Sequence, residues 1–188
     1  MSRAETTRAF FALLPDEAAR RGLQAILSRL PPRAGRPVAA SNLHLTLVFV
    51  GPCDTARLAC LHAQAGTVSI SPLTIQLDRL GLFGRGRVLW AGSEQADEGL
   101  CDLVSRLGEV LTPCGHQPER HRPFQAHVTL SRAAREFPEA LEVKPIIWQA
   151  SEFALMASRQ TPSGVRYDVL ARYPRDAGMP LSAGASVG

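Results

Sequence analysis

Two kinds of apolar pattern alternate along the chain. Short apolar or alternating runs predict strands, and longer stretches with apolar residues three or four apart predict amphipathic helices. The strand patterns lie at 8–15, 43–50, 72–80, 87–92, 124–131, 146–157 and 165–173. The helical patterns lie at about 16–30, 55–65 and 95–112, and Asp16 and Asp54 can cap the first two. The order β-α-β-α-β-β-α-β-β-β is typical of an α+β fold.

Glycine and proline mark the ends of these elements. A Gly/Arg turn is predicted at 81–87, and a basic loop at 120–123 leads into the next strand pattern. Residues 174–188 are rich in Gly, Ala, Ser and Pro, so we expect 175–188 to be a flexible C-terminal tail. The chain of 188 residues is long enough for one ordinary domain or for two small lobes that share a core.

The composition is that of a soluble globular protein, with 45% hydrophobic and 20% charged residues. No apolar run approaches the roughly 20 residues of a membrane span. Residues 1–6 include an acid and lack the apolar segment of a signal peptide. We therefore expect a cytoplasmic protein without a membrane partner.

The four cysteines show no metal-binding spacing, and in a cytoplasmic chain they predict buried free thiols rather than a zinc site. The net charge is +4, and Lys144 is the only lysine, so nearly all the cations are arginines. A GC-rich genome explains most of this bias. The surplus of positive charge gives modest support for an anionic partner.

Two strand patterns carry a histidine and a threonine two positions apart. The first is N-L-H-L-T-L-V-F at 42–49, and the second is A-H-V-T-L-S-R at 126–132. Side chains at i and i+2 of a strand share a face, so His44 and Thr46 should lie together. Leu45, Leu47 and Phe49 should then face the core. In the second copy, His127, Thr129 and Ser131 should share a face.

An imidazole beside a hydroxyl can serve as half of a phosphate site. The hydroxyl donates to a phosphate oxygen, and the histidine gives or takes a proton near neutral pH. Two such halves across a groove would supply the base and the acid of an in-line displacement at phosphorus. A single histidine on a strand is more often structural, but the repetition of the whole pattern favours catalysis. The near symmetry of the two copies leaves the acid and the base unassigned.

The paired motifs resemble those of the 2H phosphoesterase superfamily, and most closely those of the RNA 2′,3′-cyclic phosphodiesterases, formerly called the 2′-5′ RNA ligase family. The likeness runs from about residue 6 to 173. It also includes R-A-F-F-A-L-L-P at 8–15, R-V-L-W-A-G at 87–92 and S-R-Q-T-P-S-G-V-R-Y at 158–167. Small departures, such as Ala126 where the family often has proline, remove no catalytic group.

The resemblance implies a single bilobal phosphoesterase domain over 1–174, in which two antiparallel sheets form a central cleft with helices packed outside. It implies metal-free hydrolysis of a 2′,3′-cyclic phosphate to a 2′-phosphate, without a cofactor. His44 would donate a proton to the departing 3′ oxygen, and His127 would accept one from water. Thr46 and Thr129 would hold the nonbridging oxygens.

Further substrate contacts can be suggested from the sequence. Arg122 precedes the second motif and could reach an RNA backbone. Arg132 follows the motif, but strict alternation points it away from His127 unless the strand ends or bulges there. Phe11, like Phe10 and Phe124, could stack a base, although core packing is the more common role of such a residue.

Three functions are compatible with these residues. The first is hydrolysis of cyclic phosphates at RNA 3′ ends or in small cyclic nucleotides by a monomeric enzyme. The second is 2′-5′ ligation by the same site, without ATP, since the chain has no P-loop motif. The third is a nucleotide-binding module without catalysis, against which the two intact histidines argue.

Overall fold

The computed structural model describes residues 7–84, 87–94, 97–118, 123–162 and 164–174. The helices are α1 (Glu17–Leu27), α2 (Thr55–Ala65) and α3 (Glu98–Val110). The strands are β1 (Thr7–Leu13), β2 (Arg36–Pro37), β3 (Leu45–Cys53), β4 (Leu73–Leu77), β5 (Arg79–Phe83), β6 (Val88–Gly92), β7 (His127–Arg132), β8 (Ile146–Ala150), β9 (Phe153–Thr161) and β10 (Gly164–Tyr173). Short 3₁₀ turns lie at Pro32–Ala34, Ala40–Asn42 and Thr112–Cys114. The predicted tail, 175–188, lies outside the described residues, and the domain boundary at 174 stays a prediction.

An aspartate caps the start of each helix. Asp16, Asp54 and Asp97 each accept a hydrogen bond from a backbone N–H three residues further on, which satisfies a donor that the first helical turn leaves unpaired. The caps predicted at Asp16 and Asp54 are thus confirmed. The apolar stripe of α3 is buried as its spacing predicts. Within the described residues, no helix is long and apolar enough to cross a bilayer.

The strands form two antiparallel sheets. The large sheet has the order β10-β9-β1-β3-β7-β6-β5, with β2 paired to β7, and the small sheet pairs β4 with β8. The α+β class predicted from the order of elements is confirmed, and so are the two antiparallel sheets that the family resemblance implies. Both motif strands, β3 and β7, are neighbours at the centre of the large sheet, where a single residue pair, Leu45 with Val128, joins its two halves.

Two strand patterns are each split between the sheets. The run at 72–80 divides at Asp78 into β4, in the small sheet, and β5, in the large one. The run at 146–157 divides at 151–152 into β8 and β9 in the same way. The turn predicted from Gly81 is wrong as far as Phe83, because β5 continues through these positions along β6. An apolar run does not reveal which partner strand each half will find.

A disulfide between Cys60 and Cys114 corrects the prediction of four free thiols. The turn Thr112–Cys114 packs against α2, and the two Cα atoms lie 5.7 Å apart, a normal distance for a bridge. Cys53 and Cys101 are free, the first buried and the second exposed. The sequence could not predict the bridge because the two cysteines are 54 positions apart and meet only through the packing of the helix on the turn.

We expect the double variant Cys60→Ser, Cys114→Ser to unfold at a lower urea concentration than the wild-type protein. A bridge across a sequence separation of 54 restricts the unfolded chain and typically stabilises a domain by about 2–4 kcal/mol. Equilibrium unfolding followed by circular dichroism measures this difference. The control is Cys101→Ser, which removes an exposed free thiol and should keep the wild-type stability. A double variant as stable as this control would contradict the prediction.

Candidate active site

The register of β3 and β7 assembles the two motifs into a square. Leu45 and Val128 pair directly and are fully buried, so both point to the core. One step along this antiparallel register, Thr46 lies opposite His127 and His44 lies opposite Thr129, all on the other face of the sheet. All four motif side chains are half-buried. The two histidines occupy a diagonal of the square, which in an antiparallel sheet corresponds to about 7–8 Å between Cα atoms.

Each imidazole is held by the backbone carbonyl two residues before it. Nδ1 of His44 lies 2.6 Å from the carbonyl oxygen of Asn42, and Nδ1 of His127 lies 2.7 Å from that of Gln125. A carbonyl oxygen only accepts, so Nδ1 carries the hydrogen in both rings. Nε2 of each ring therefore remains available to give or take a proton.

The side chain of Asn42 ties the first histidine to strand β10. Its amide nitrogen donates to the carbonyl of Val165 at 2.7 Å, and its amide oxygen accepts from the backbone N–H of Tyr167 at 3.3 Å. The residue whose carbonyl orients His44 is thus itself fixed by the sheet. The role of Asn42 was not predicted from the sequence, because it depends on a strand more than a hundred positions away.

Burial lowers the pKa of both motif histidines, because the charged imidazolium loses its solvation. The carbonyl partner of each ring opposes this shift. For His44 the pKa is lowered further by the positive charges of His127 and Arg132. A bound phosphate would act in the opposite direction, since an anion stabilises the protonated ring.

Aromatic rings flank both histidines. The ring of His44 lies 5.0 Å from that of Phe10 and 4.9 Å from that of Tyr167, measured between centroids. The ring of His127 lies 4.9 Å from that of Phe83. These contacts with the histidines were not predicted, although Phe10 and Tyr167 lie in the strand patterns at 8–15 and 165–173, whose alternation could have suggested their face.

Trp90 lies flat over two glycines beside the second histidine. Its ring centroid is 6.2 Å from that of His127 and 5.2 Å from that of Phe83. A Cβ on Gly81 would fall 2.0 Å from Cζ2 of the indole, and one on Gly92 would fall 2.9 Å from Cζ3. At Gly81 only glycine leaves room for the ring, and at Gly92 a Cβ would also fall 2.4 Å from the carbonyl oxygen of Ala126. The indole is thus held, with 7% of its surface exposed, beside His127.

A β-bulge follows the threonine of the first motif. On β1, Ala12 pairs with Thr46 but Phe11 pairs with Val48, so Leu47 is an extra residue in β3. Leu47 and Val48 are both buried, and Phe49 returns to the face of the motif with 57% of its surface exposed. The prediction that Phe49 packs in the core is therefore wrong, because the bulge shifts the alternation by one position.

The second motif strand contains the equivalent bulge. Trp90 pairs with Thr129 but Leu89 pairs with Ser131, so Leu130 is the extra residue. Ser131 is fully buried and its hydroxyl donates to the carbonyl of Ala34, which corrects the prediction that it shares the face of His127. Arg132 is thereby returned to the motif face, as expected for a strand that bulges before it. Its effect on the pKa of His44 agrees with this position.

Two other predicted contacts have different outcomes. Phe11 has no exposed surface and packs against the rings of Phe153 and Tyr173 in the core. It cannot contact a substrate, so that prediction is wrong, and Phe10 occupies the motif face instead. Arg122 lies outside the described residues.

A cavity of about 420 Å³ lies beside Ala126, next to the second motif. Its lining includes the carboxylates of Asp78, Glu94 and Asp97, which would repel a phosphate. The described ranges contain no group of three or more His, Cys, Asp or Glu side chains that could hold a metal ion. The arrangement best suited to an anionic substrate is the square of His44, Thr46, His127 and Thr129 with Arg132 at its edge.

Comparisons with known proteins identify relatives that match most of the chain. The chain is 37% identical over 175 residues to the RNA 2′,3′-cyclic phosphodiesterase of Escherichia coli, covering 90% of this chain and 97% of that protein. It is 30% identical over 171 residues to the RNA 2′,3′-cyclic phosphodiesterase of Archaeoglobus fulgidus, covering 85% and 96%.

Solved structures show the same fold. The crystal structure of E. coli LigT in its apo form superposes with a TM-score of 0.78 at 34% identity, covering 90% of this chain and 97% of that one. The structure of E. coli LigT complexed with 3′-AMP gives a TM-score of 0.78 at 35% identity, covering 90% and 98%. The sequence model of the 2′-5′ RNA ligase superfamily matches residues 14–162. The chain therefore belongs to the 2′-5′ RNA ligase superfamily.

Proposed function

We propose that this protein hydrolyses the 2′,3′-cyclic phosphate of an RNA end or of a small nucleotide to a 2′-phosphate, by acid and base catalysis without a metal ion. The observation that carries the proposal is the diagonal pair of histidines, each with Nδ1 held by a carbonyl and Nε2 available. The relatives named RNA 2′,3′-cyclic phosphodiesterase support the choice of substrate.

The reaction would proceed by in-line displacement at phosphorus. The neutral Nε2 of His127 takes a proton from water while the water oxygen bonds to phosphorus. The bond from phosphorus to the 3′ oxygen breaks, and the protonated Nε2 of His44 gives its proton to that oxygen. The hydroxyls of Thr46 and Thr129 donate to the nonbridging oxygens. The 2′ oxygen keeps its phosphate, and the roles of the two histidines follow the family resemblance.

We further propose that the enzyme acts as a monomer in the cytoplasm. The exposed arginine on the motif face, Arg132, supports an anionic partner.

His44→Ala and His127→Ala should each lower the kcat/KM for cytidine 2′,3′-cyclic monophosphate by about 10² to 10⁴, the usual contribution of a general acid or base. Initial rates are measured in EDTA, which should leave the wild-type rate unchanged. The matched control is His116→Asn, a histidine in the segment after the Thr112–Cys114 turn. Full activity in either motif variant would refute the proposal, and a wild-type rate abolished by EDTA would refute its metal-free form.

A substrate with a better leaving group should distinguish the general acid from the general base. With an activated diester that releases p-nitrophenolate, the departing oxygen needs little protonation, so His44→Ala should lose much less activity than it loses on the cyclic nucleotide. His127→Ala should remain impaired on both substrates, since water must still be deprotonated. The ratio of the two kcat/KM values is measured for each variant. If His127→Ala were the variant rescued by the activated substrate, His127 would be the acid and His44 the base.

The kcat/KM should show a bell-shaped dependence on pH, because the reaction needs a neutral base and a protonated acid. Burial lowers the pKa of His44, so the free protein loses this proton at a lower pH than an ordinary histidine would. The kcat/KM should therefore fall as the pH rises through this lowered pKa. Arg132→Gln removes a charge that lowers the pKa of His44, so its alkaline limb should move to higher pH. A limb that stays in place or moves to lower pH would contradict this.

A further inference from the structure

We propose that the exposed ring of Phe49 and the guanidinium of Arg8 form a subsite for the nucleotide that precedes the cyclic-phosphate end of an RNA. The inference rests on the proposed function and narrows its substrate class to oligoribonucleotide ends. It concerns a surface beyond the motif square, past the threonine of the first motif.

The bulge in β3 places Phe49 on the same face as the motif. Phe49 pairs with Phe10, and the ring of Phe10 lies 5.0 Å from that of His44. Thr46 pairs with Ala12, two positions from Phe10 on β1. Phe49 therefore lies about 7 Å beyond Thr46 along the sheet, at the rise of a strand. This distance suits a group attached to the nucleotide bound at the square.

The fifth residue after the motif histidine lies on the motif face in both halves of the sheet. Phe49 and Arg132 are each the fifth residue after their histidine, and each is brought to the motif face by a bulge after the threonine. Arg132 lies near enough to His44 to affect its pKa. Phe49 is the corresponding group on the other side, so the two positions extend the groove from opposite edges of the square.

Arg8 adds a positive charge to the exposed ring. Its guanidinium carbon lies 5.6 Å from the centroid of Phe49. Among the described residues, Arg8 has no carboxylate or carbonyl partner, whereas Arg21 and Arg106 are paired with acids on their helices. A large apolar ring that is 57% exposed, beside an arginine without an acid, offers a stacking surface and a phosphate ligand together.

This combination fits single-stranded nucleic acid. Every base has a π-face that can stack on an aromatic ring, and an arginine beside the ring can contact the backbone phosphate. A cyclic mononucleotide ends at its own ribose and has neither the second base nor the second phosphate. The subsite should thus increase the kcat/KM for oligoribonucleotides and leave the kcat/KM for the mononucleotide unchanged.

The experiment compares two substrates in the same variants. One is cytidine 2′,3′-cyclic monophosphate, and the other is a short oligoribonucleotide that ends in a 2′,3′-cyclic phosphate. Phe49→Ala and Arg8→Gln should each lower the kcat/KM for the oligonucleotide by about tenfold, mainly through KM. This is the usual scale for loss of one stacked base in the first variant and of one hydrogen bond to a charged group in the second. Phe49→Tyr should retain the wild-type value because it keeps the aromatic face. Phe49→Leu should behave like the alanine variant.

Two control variants match the changes in exposure and charge. Ile147→Ala removes an apolar side chain that is 56% exposed on the small sheet, and Arg21→Gln removes an exposed arginine from α1. Each control variant should keep the wild-type kcat/KM for the mononucleotide and for the oligonucleotide. Equal losses on the two substrates in the Phe49 and Arg8 variants, or no loss on the oligonucleotide, would overturn the subsite. A wild-type protein that hydrolyses neither substrate would instead refute the proposed function, and the subsite with it.

Discussion

The pairing of Leu45 with Val128 is the contact on which the site depends. Both residues are buried, and they are the point at which the two halves of the large sheet meet. Because this pair fixes the register, it places each histidine opposite the threonine of the other strand. A shift by one residue would turn the side chains of one motif to the opposite face, so that one imidazole would point into the core while the other stayed on the motif face. Apolar burial on one face thus determines the polar geometry on the other.

The two motifs share more than their histidine and threonine. In each, a carbonyl two residues upstream holds Nδ1, aromatic rings from neighbouring strands flank the imidazole, and a bulge follows the threonine. The surroundings differ in charge, since an arginine follows the second bulge and a phenylalanine follows the first. The two nearly symmetric motifs can therefore contact a phosphate from both sides, while the arginine and the phenylalanine beyond them offer different contacts to the two ends of a substrate.

Backbone irregularity extends the site beyond the motif residues. A regular strand would direct Phe49 into the core and Arg132 away from His127. The bulges instead bury two consecutive residues, Leu47 with Val48 and Leu130 with Ser131, and thereby return the next side chain to the groove. The extra residue in each strand thus places an aromatic ring at one edge of the site and a cation at the other.

The sequence by itself determined the local elements, the α+β class and the paired motifs, because helix caps, apolar periodicity and i, i+2 spacing are short-range properties. It also placed the histidine and the threonine of each motif on one face, since alternation holds up to the threonine. That the two pairs lie side by side on neighbouring strands of one sheet, rather than facing each other across a groove, was decided by the tertiary structure. The tertiary structure decided which strands are neighbours, that the 72–80 and 146–157 runs divide between two sheets, and that Cys60 meets Cys114. It also decided the faces of Phe49, Ser131 and Arg132 and the burial of Phe11. These features depend on partner strands far away in the chain, whose register and bulges no local pattern of apolar residues records.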